Sequence, residues 1–244
     1  MRQTWVVTRR ELGAYFASPV AYVFITVFLM AAGALTFFVG GFLARGRADL
    51  DPFFTFHPWL YLFFIPALGM RLWAEERKSG TIEFLMTLPA PTAALVVGKF
   101  LAAWLFAGVA LGLTFPLWLT VNFLGDPDNG VIAAGYIGSW LMAGGFLAIC
   151  ACLSAVTRNQ VVAFVLSIAV CFLFLVSGLD VVQSAFAGWA PEALVRAVAG
   201  FSFLNNFRAI SEGVIDARHL TFFGSLIFLA LVINTVLLGM VRGK

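Results

Sequence analysis

Six stretches free of Asp, Glu, Lys and Arg dominate this chain, over 12–44, 52–70, 100–125, 129–157, 159–179 and 220–241. Each reaches the ~17–25 residues that a helix needs to cross the hydrocarbon core of a bilayer. The runs are continuously apolar and lack the period-two alternation of a membrane barrel strand. They therefore call for helices that satisfy their own backbone hydrogen bonds. With 62% hydrophobic and 11% charged residues and a mean hydropathy of +0.99, the chain stands far from the roughly 45–50% and about 25% of soluble domains. The sequence predicts an all-α membrane protein of one domain, 1–244, with six transmembrane helices near 19–43, 53–77, 93–123, 132–156, 160–179 and 220–241. No soluble domain, low-complexity segment or internal repeat interrupts it.

Charge sets the orientation. With both termini cytoplasmic, the inner segments hold Arg2, Arg9, Arg10, Arg71, Arg77, Lys78, Lys99, Arg158, Arg242 and Lys244, and the outer ones only Arg45, Arg47, Arg196, Arg208 and Arg218. That asymmetry follows the positive-inside bias. The pI of 9.0 thus reflects topology, and no basic face or stripe points to nucleic acid. Cys150, Cys152 and Cys171 fall inside expected spans without metal-ligand spacing and read as small buried apolar residues.

Before the first span, Trp5, Thr8, Leu12 and Tyr15/Phe16 share a helical face over about 3–16, which suits a helix lying in the interface or a mere positive flank. Arg9-Arg10 precedes a run too long for an export-signal core, so the N-terminus is expected to be retained. Ser18-Pro19 reads as the capped start of span one. His57-Pro58 and Pro66 are expected to kink span two, with His57 either an interfacial histidine or a pathway residue. The neighbourhood of Thr157-Arg158-Asn159-Gln160 makes a tight cytoplasmic hairpin. From Asp180 to His219 the aromatics, charges and Pro/Gly breaks suggest one or two short helices dipping into the outer interface.

Between spans two and three lies the charged run Glu75-Glu76-Arg77-Lys78-Ser79-Gly80-Thr81-Ile82-Glu83-Phe84-Leu85-Met86-Thr87-Leu88-Pro89. Gly80 can close the extension of span two in a left-handed cap, and Thr81 can cap a new helix with Glu83 in its first turn. Leu88-Pro89-Ala90-Pro91 stops that helix, and Thr92 can cap the next. A helix over 82–88 is ~10 Å long at ~1.5 Å per residue. It is too short to stand alone, so the face of Ile82, Leu85 and Met86 should dock on the bundle's own inner end or in a partner's groove. The bland alternative is a solvated charged end to a membrane helix.

This pattern resembles the ABC type 2 permeases, the membrane subunits of many ATP-driven exporters. The matching residues are Glu75-Glu76-Arg77-x-x-Gly80-Thr81-x-Glu83-x-Leu85, Pro89, Gly98-Lys99-Phe100, and Arg10-Glu11-Leu12-x-x-Tyr15-Phe16-x-Ser18-Pro19. The stretches 154–164 and 206–216 look like the branch with gliding-motility-type and nitrous-oxide-reductase-maturation-type permeases. The resemblance implies that the short helix is a coupling helix seated on a separate cytoplasmic ATPase. Glu75, Glu76, Arg77, Gly80, Thr81, Ile82, Glu83, Leu85 and Met86 would belong to the transmission element. It also implies two ATPase copies carrying ATP and Mg, no cofactor in this chain, a permease homodimer, and a bacterial cytoplasmic (inner) membrane. Arg158 is a second cytoplasmic contact or a topological anchor.

The sequence has no phosphate loop, since Gly98-Lys99 is followed by Phe100, and neither a zinc-protease nor a nucleophile-elbow motif. No Asp, Glu, Lys or Arg sits mid-span, against proton or ion coupling within the membrane. Gly108-x-x-x-Gly112 permits a close helix contact, within the chain or in a dimer. Asn122, Asn205, Asn206, Arg208, Glu212 and Asp216 are candidates for outer contacts with a substrate or an external auxiliary protein. Two functions remain: a permease exporting a solute, or a mechanical or assembly subunit moving an external protein. A passive channel or membrane enzyme is a distant third.

Overall fold

A computed structural model describes residues 2–87, 90–187, 191 and 198–242, without the side chains of Met86, 185–187, 241 and 242. Among the described residues the chain is helical throughout. Its elements are α1 (Arg2–Ala17), α2 (Pro19–Ala34) ending in a π-helical turn (Leu35–Val39), α3 (Asp51–Gly69), α4 (Arg71–Ser79), α5 (Thr81–Thr87), α6 (Thr92–Gly112), α7 (Phe115–Leu124), α8 (Asn129–Val156), α9 (Gln160–Val176), α10 (Asp180–Ala187), α11 (Phe203–Ser211) and α12 (Ala217–Arg242). Five segments are long and apolar enough to cross a membrane: Pro19–Val39, Asp51–Ser79, Thr92–Leu124, Asn129–Val156 and Ala217–Met240. The chain is a multi-pass membrane protein.

The run expected to supply the remaining span forms α9, whose 17 residues are ~26 Å long at ~1.5 Å each, against a core of about 30 Å. Ser177 and Gly178 end it before the expected residue 179. Two other expected spans are each split in two. Span three breaks at Leu113-Thr114, just ahead of Pro116, which has no amide proton to continue the ladder. Tyr136 of α8 holds that break, its hydroxyl lying 3.0 Å from the Thr114 hydroxyl and donating to the Thr114 carbonyl at 3.2 Å. Span two breaks at Met70, beyond Pro66, and its extension is α4.

The long α8 is the axis of the bundle, touching α3, α4, α6, α9, α11 and α12. Small residues permit this. A side chain at Gly69 would meet Cys150 Cβ at 2.5 Å, at Gly135 the Phe54 ring at 2.5 Å, and at Gly145 the Phe203 ring at 2.7 Å. Without a hydrophobic driving force between helices in lipid, such close approach and its dispersion contacts hold the bundle together. Aromatic packing fills the rest, with Phe146 stacked on Phe203 at 4.5 Å and Trp104 on Trp140 at 4.3 Å between ring centres.

Capping follows the sequence in part. Ser18 accepts from the Val20 amide at 3.3 Å, as expected. Thr81, expected as a cap, instead opens α5 and pairs its hydroxyl with that of Ser79 at 2.9 Å. Thr92 begins α6 with no side-chain cap, because Pro91 occupies the capping position.

Candidate functional site

At one end of the bundle, α4 and α5 carry the charged run. Gly80 has φ +75°, the left-handed cap the sequence calls for, and it turns the chain from α4 into α5. The seven-residue α5 lies against α4 and α12. Ile82 and Leu85, 5% and 9% exposed, are buried in this chain's own core, so the bundle itself supplies the tertiary support that so short a helix requires. Phe84 points the other way and is 70% exposed. Glu83 and Thr87 are exposed beside it. The Met86 side chain and Leu88-Pro89 lie outside the described residues. Sequence periodicity found the apolar face but passed over Phe84, the one bulky side chain that α5 leaves free among its described residues.

Glu75, Thr81 and Gly80 are exposed, whereas Glu76 and Arg77 are half-buried. Arg158, in the turn between α8 and α9, lies close enough for its charge to act on Arg77. The structure thus brings these two predicted residues together as a pair of like charges. The Arg77 Nε atom and the second carboxylate oxygen of Glu76 are buried without a hydrogen-bond partner among the described residues.

Lys99 organises this end. It stands in the second turn of α6 and is only 5% exposed. Its ammonium bonds to a carboxylate oxygen of Glu76, donates to the Leu72 carbonyl at 3.2 Å, lies 3.6 Å from Glu11 Oε2, and sits 5.1 Å from the centre of the Trp73 ring. A buried ammonium is tolerated only when its charge is paired and its protons are placed. These contacts do both, and they tie α1, α4 and α6 together. Arg10 adds a 2.6 Å ion pair to Glu11. Burial, then the Glu11 and Glu76 carboxylates, raise the pKa of the neighbouring Tyr15 phenol above its ordinary value.

Close packing of α1 on α6 brings Glu11 there. Thr8 donates to the Gly98 carbonyl at 3.2 Å, and a side chain at Gly98 would strike Val7 at 2.7 Å. Further along, Tyr15 and Phe16 lie on Phe106, with ring centres 5.2 and 5.5 Å apart. Gly98-Lys99-Phe100 therefore has a physical basis: approach, charge and core, in that order. Lys99 was not among the residues expected to carry function. A lone lysine several residues inside an apolar helix is the signal that could have marked it.

Ser154 of α8 was overlooked as well. It is fully buried, and its hydroxyl sits in the break between α3 and α4. It donates to the Met70 carbonyl at 2.9 Å and accepts from the Trp73 and Ala74 amides at 3.1 and 3.0 Å. An inserted side-chain oxygen thereby replaces the Ala74-to-Met70 bond of an unbroken helix.

At the opposite end, Asn206 is structural. Its amide donates to the Gly200 and Ser202 carbonyls at 3.1 and 2.8 Å, and its oxygen lies 2.8 Å from His219 Nδ1. Asn205 and Arg208 are exposed, Arg208 paired with Glu212 at 2.9 Å. Asn122 pairs with Asn129 at 3.0 Å. His57 is buried among Phe28, Phe53, Phe54 and Tyr61, whose rings enclose it as α3 enters the bundle. The cysteines are free. Among the described residues no three His, Cys, Asp or Glu side chains gather as a metal site.

No curated protein matches this sequence. A family model described as "ABC-2 family transporter protein" matches residues 35–242, which takes in every helix from the π-helical turn of α2 to α12. The chain belongs to the ABC-2 transporter family, as one of its non-catalytic membrane subunits, which lack a nucleotide-binding fold.

Proposed function

We propose that this chain is the permease subunit of an ATP-driven exporter in a bacterial cytoplasmic membrane, with six spans and both termini inside. In this reading, α5 is the coupling helix. A separate cytoplasmic ATPase, carrying ATP and Mg, grips it, as ABC-2 membrane proteins generally pair with such a subunit. Two copies of the permease then line the path between them.

The observation that carries this reading is the asymmetry of α5. Ile82 and Leu85 fix the helix to its own bundle, leaving Phe84 to project outward beside the exposed Glu83. An exposed aromatic on a helix held rigidly from behind is the form of an interface anchor. A push on Phe84 passes through α4 to Lys99, and from there to α1 and α6, while the Ser154 joint lets α4 move relative to α3. Closure of the ATPase dimer would bias this two-state element.

Co-purification with the ATPase encoded beside this chain tests the reading. Phe84→Ala should weaken the complex by roughly 30-fold, the scale of a ~2 kcal/mol anchor, with the permease still folded. Undiminished recovery and stimulated ATPase activity in that variant would overturn it.

A mechanical or assembly role keeps one observation in its favour. Val181, Phe201, Val214 and Ile215 leave apolar surface exposed at the end opposite α5, where an external protein would dock. Crosslinking from position 214 or 215 to such a protein, without solute transport by the complex, would favour that role.

A further inference from the structure

Where α1, α2, the α3–α4 joint and α6 meet, they enclose a cavity of about 290 Å³. Val20, Phe24, Leu68 and Phe106 wall one part of it. Glu11, Arg71, Glu75, Glu76 and Lys99 line another. Ser18-Pro19 opens the first membrane segment and Arg71 follows the end of α3, so the cavity lies at the depth of lipid head groups. Val20, a wall residue, is 47% exposed on the outer face of α2, which places an opening toward the bilayer.

The charges of the cavity are not all used. Lys99 is held by Glu76 and Glu11. Among the described residues neither Arg71 nor Glu75 makes an ion pair, although they stand one turn apart on α4. A ligand that satisfies this arrangement carries an anion for Arg71 and a hydrogen-bonding cation for Glu75. It also continues into an apolar tail. At the low end of the ~300–1,000 Å³ usual for small-molecule sites, the space suits a head group whose chains stay in the membrane.

We propose that this cavity binds the head group of a phospholipid with a primary ammonium, of the phosphatidylethanolamine type, its phosphate on Arg71 and its ammonium on Glu75. The assignment is independent of the ATPase partner. Bound there, the lipid bridges α2 and α4 beside the Lys99 cluster and steadies the contact of α1 with α4.

The purified chain in detergent is titrated with dilauroyl phosphatidylethanolamine, phosphatidylcholine or phosphatidylglycerol, and bound lipid is counted by native mass spectrometry. Phosphatidylethanolamine should be retained about tenfold more tightly than either of the others. Phosphatidylcholine has the same charges but no N–H donor, and phosphatidylglycerol has no cation. Arg71→Gln and Glu75→Gln, both at exposed positions, should each erase that preference with the melting temperature unchanged. Val20→Trp, at the mouth, should lower retention of all three lipids, and it probes the cavity even where a charge variant folds poorly. Equal retention of the three lipids, or a preference that survives Glu75→Gln, would overturn the proposal. So would equally tight binding of chain-free glycerophosphoethanolamine, which would make the ligand a soluble zwitterion.

Discussion

Lys99 shows what a single charge does when a membrane protein buries it. Its ammonium has Glu76, Glu11 and the Leu72 carbonyl around it, so removing it leaves two carboxylates facing each other in a half-dry site. Lys99→Ala should cost about 2–3 kcal/mol, below the ~3–5 of a fully buried pair because both carboxylates keep some solvent. Chemical denaturation in mild detergent would register it. Adding Glu76→Gln should recover part of the loss, a coupling of about 1 kcal/mol or more in a double-mutant cycle. Local chemistry was readable in the sequence, as Gly80 shows: its left-handed cap was expected and is present. Gly80→Ala, straining that backbone, should cost about 1 kcal/mol. Partners distant along the chain were not readable. Nothing local to Lys99 names Glu11, and nothing local to Ser154 names Met70.

Elements depend on which way a face turns. The pattern over 82–88 gave α5 two sides, and periodicity alone does not say which side meets its own bundle. The structure resolves this: Ile82 and Leu85 point inward and Phe84 outward. Leu85→Asp should therefore damage folding itself, burying a charge near Val6 and Val7 of α1, Trp73 of α4 and Leu95 of α6. Its detergent melting temperature should fall along with the recovery of any complex. Phe84→Ala should leave that temperature within about 1 °C of wild type while weakening the proposed partner contact. Helix breaks were legible only where proline stood near them. Pro66 pointed to the right neighbourhood and the break before Pro116 was not anticipated, and the hydroxyls that complete both breaks come from α8, outside any local window.

For the whole molecule, the uncharged runs were sufficient to define a helical membrane bundle, because length and hydropathy are additive along the chain. They overstated regularity: two expected spans are split and one run yields a helix of 17 residues. Packing order around α8 depends on glycines whose neighbours the sequence does not reveal. Gly69→Ala would drive a methyl group into Cys150 Cβ, a rigid atom, and should lower stability by about 1–3 kcal/mol, seen as a lower melting temperature. The serine at the α3–α4 joint has a further consequence for the molecule in motion. The Ala74 amide and the Met70 carbonyl that its hydroxyl now serves are natural partners of one another in an unbroken helix. If α8 draws the serine away, those two groups can close on each other. Such a change would exchange bonds rather than lose them.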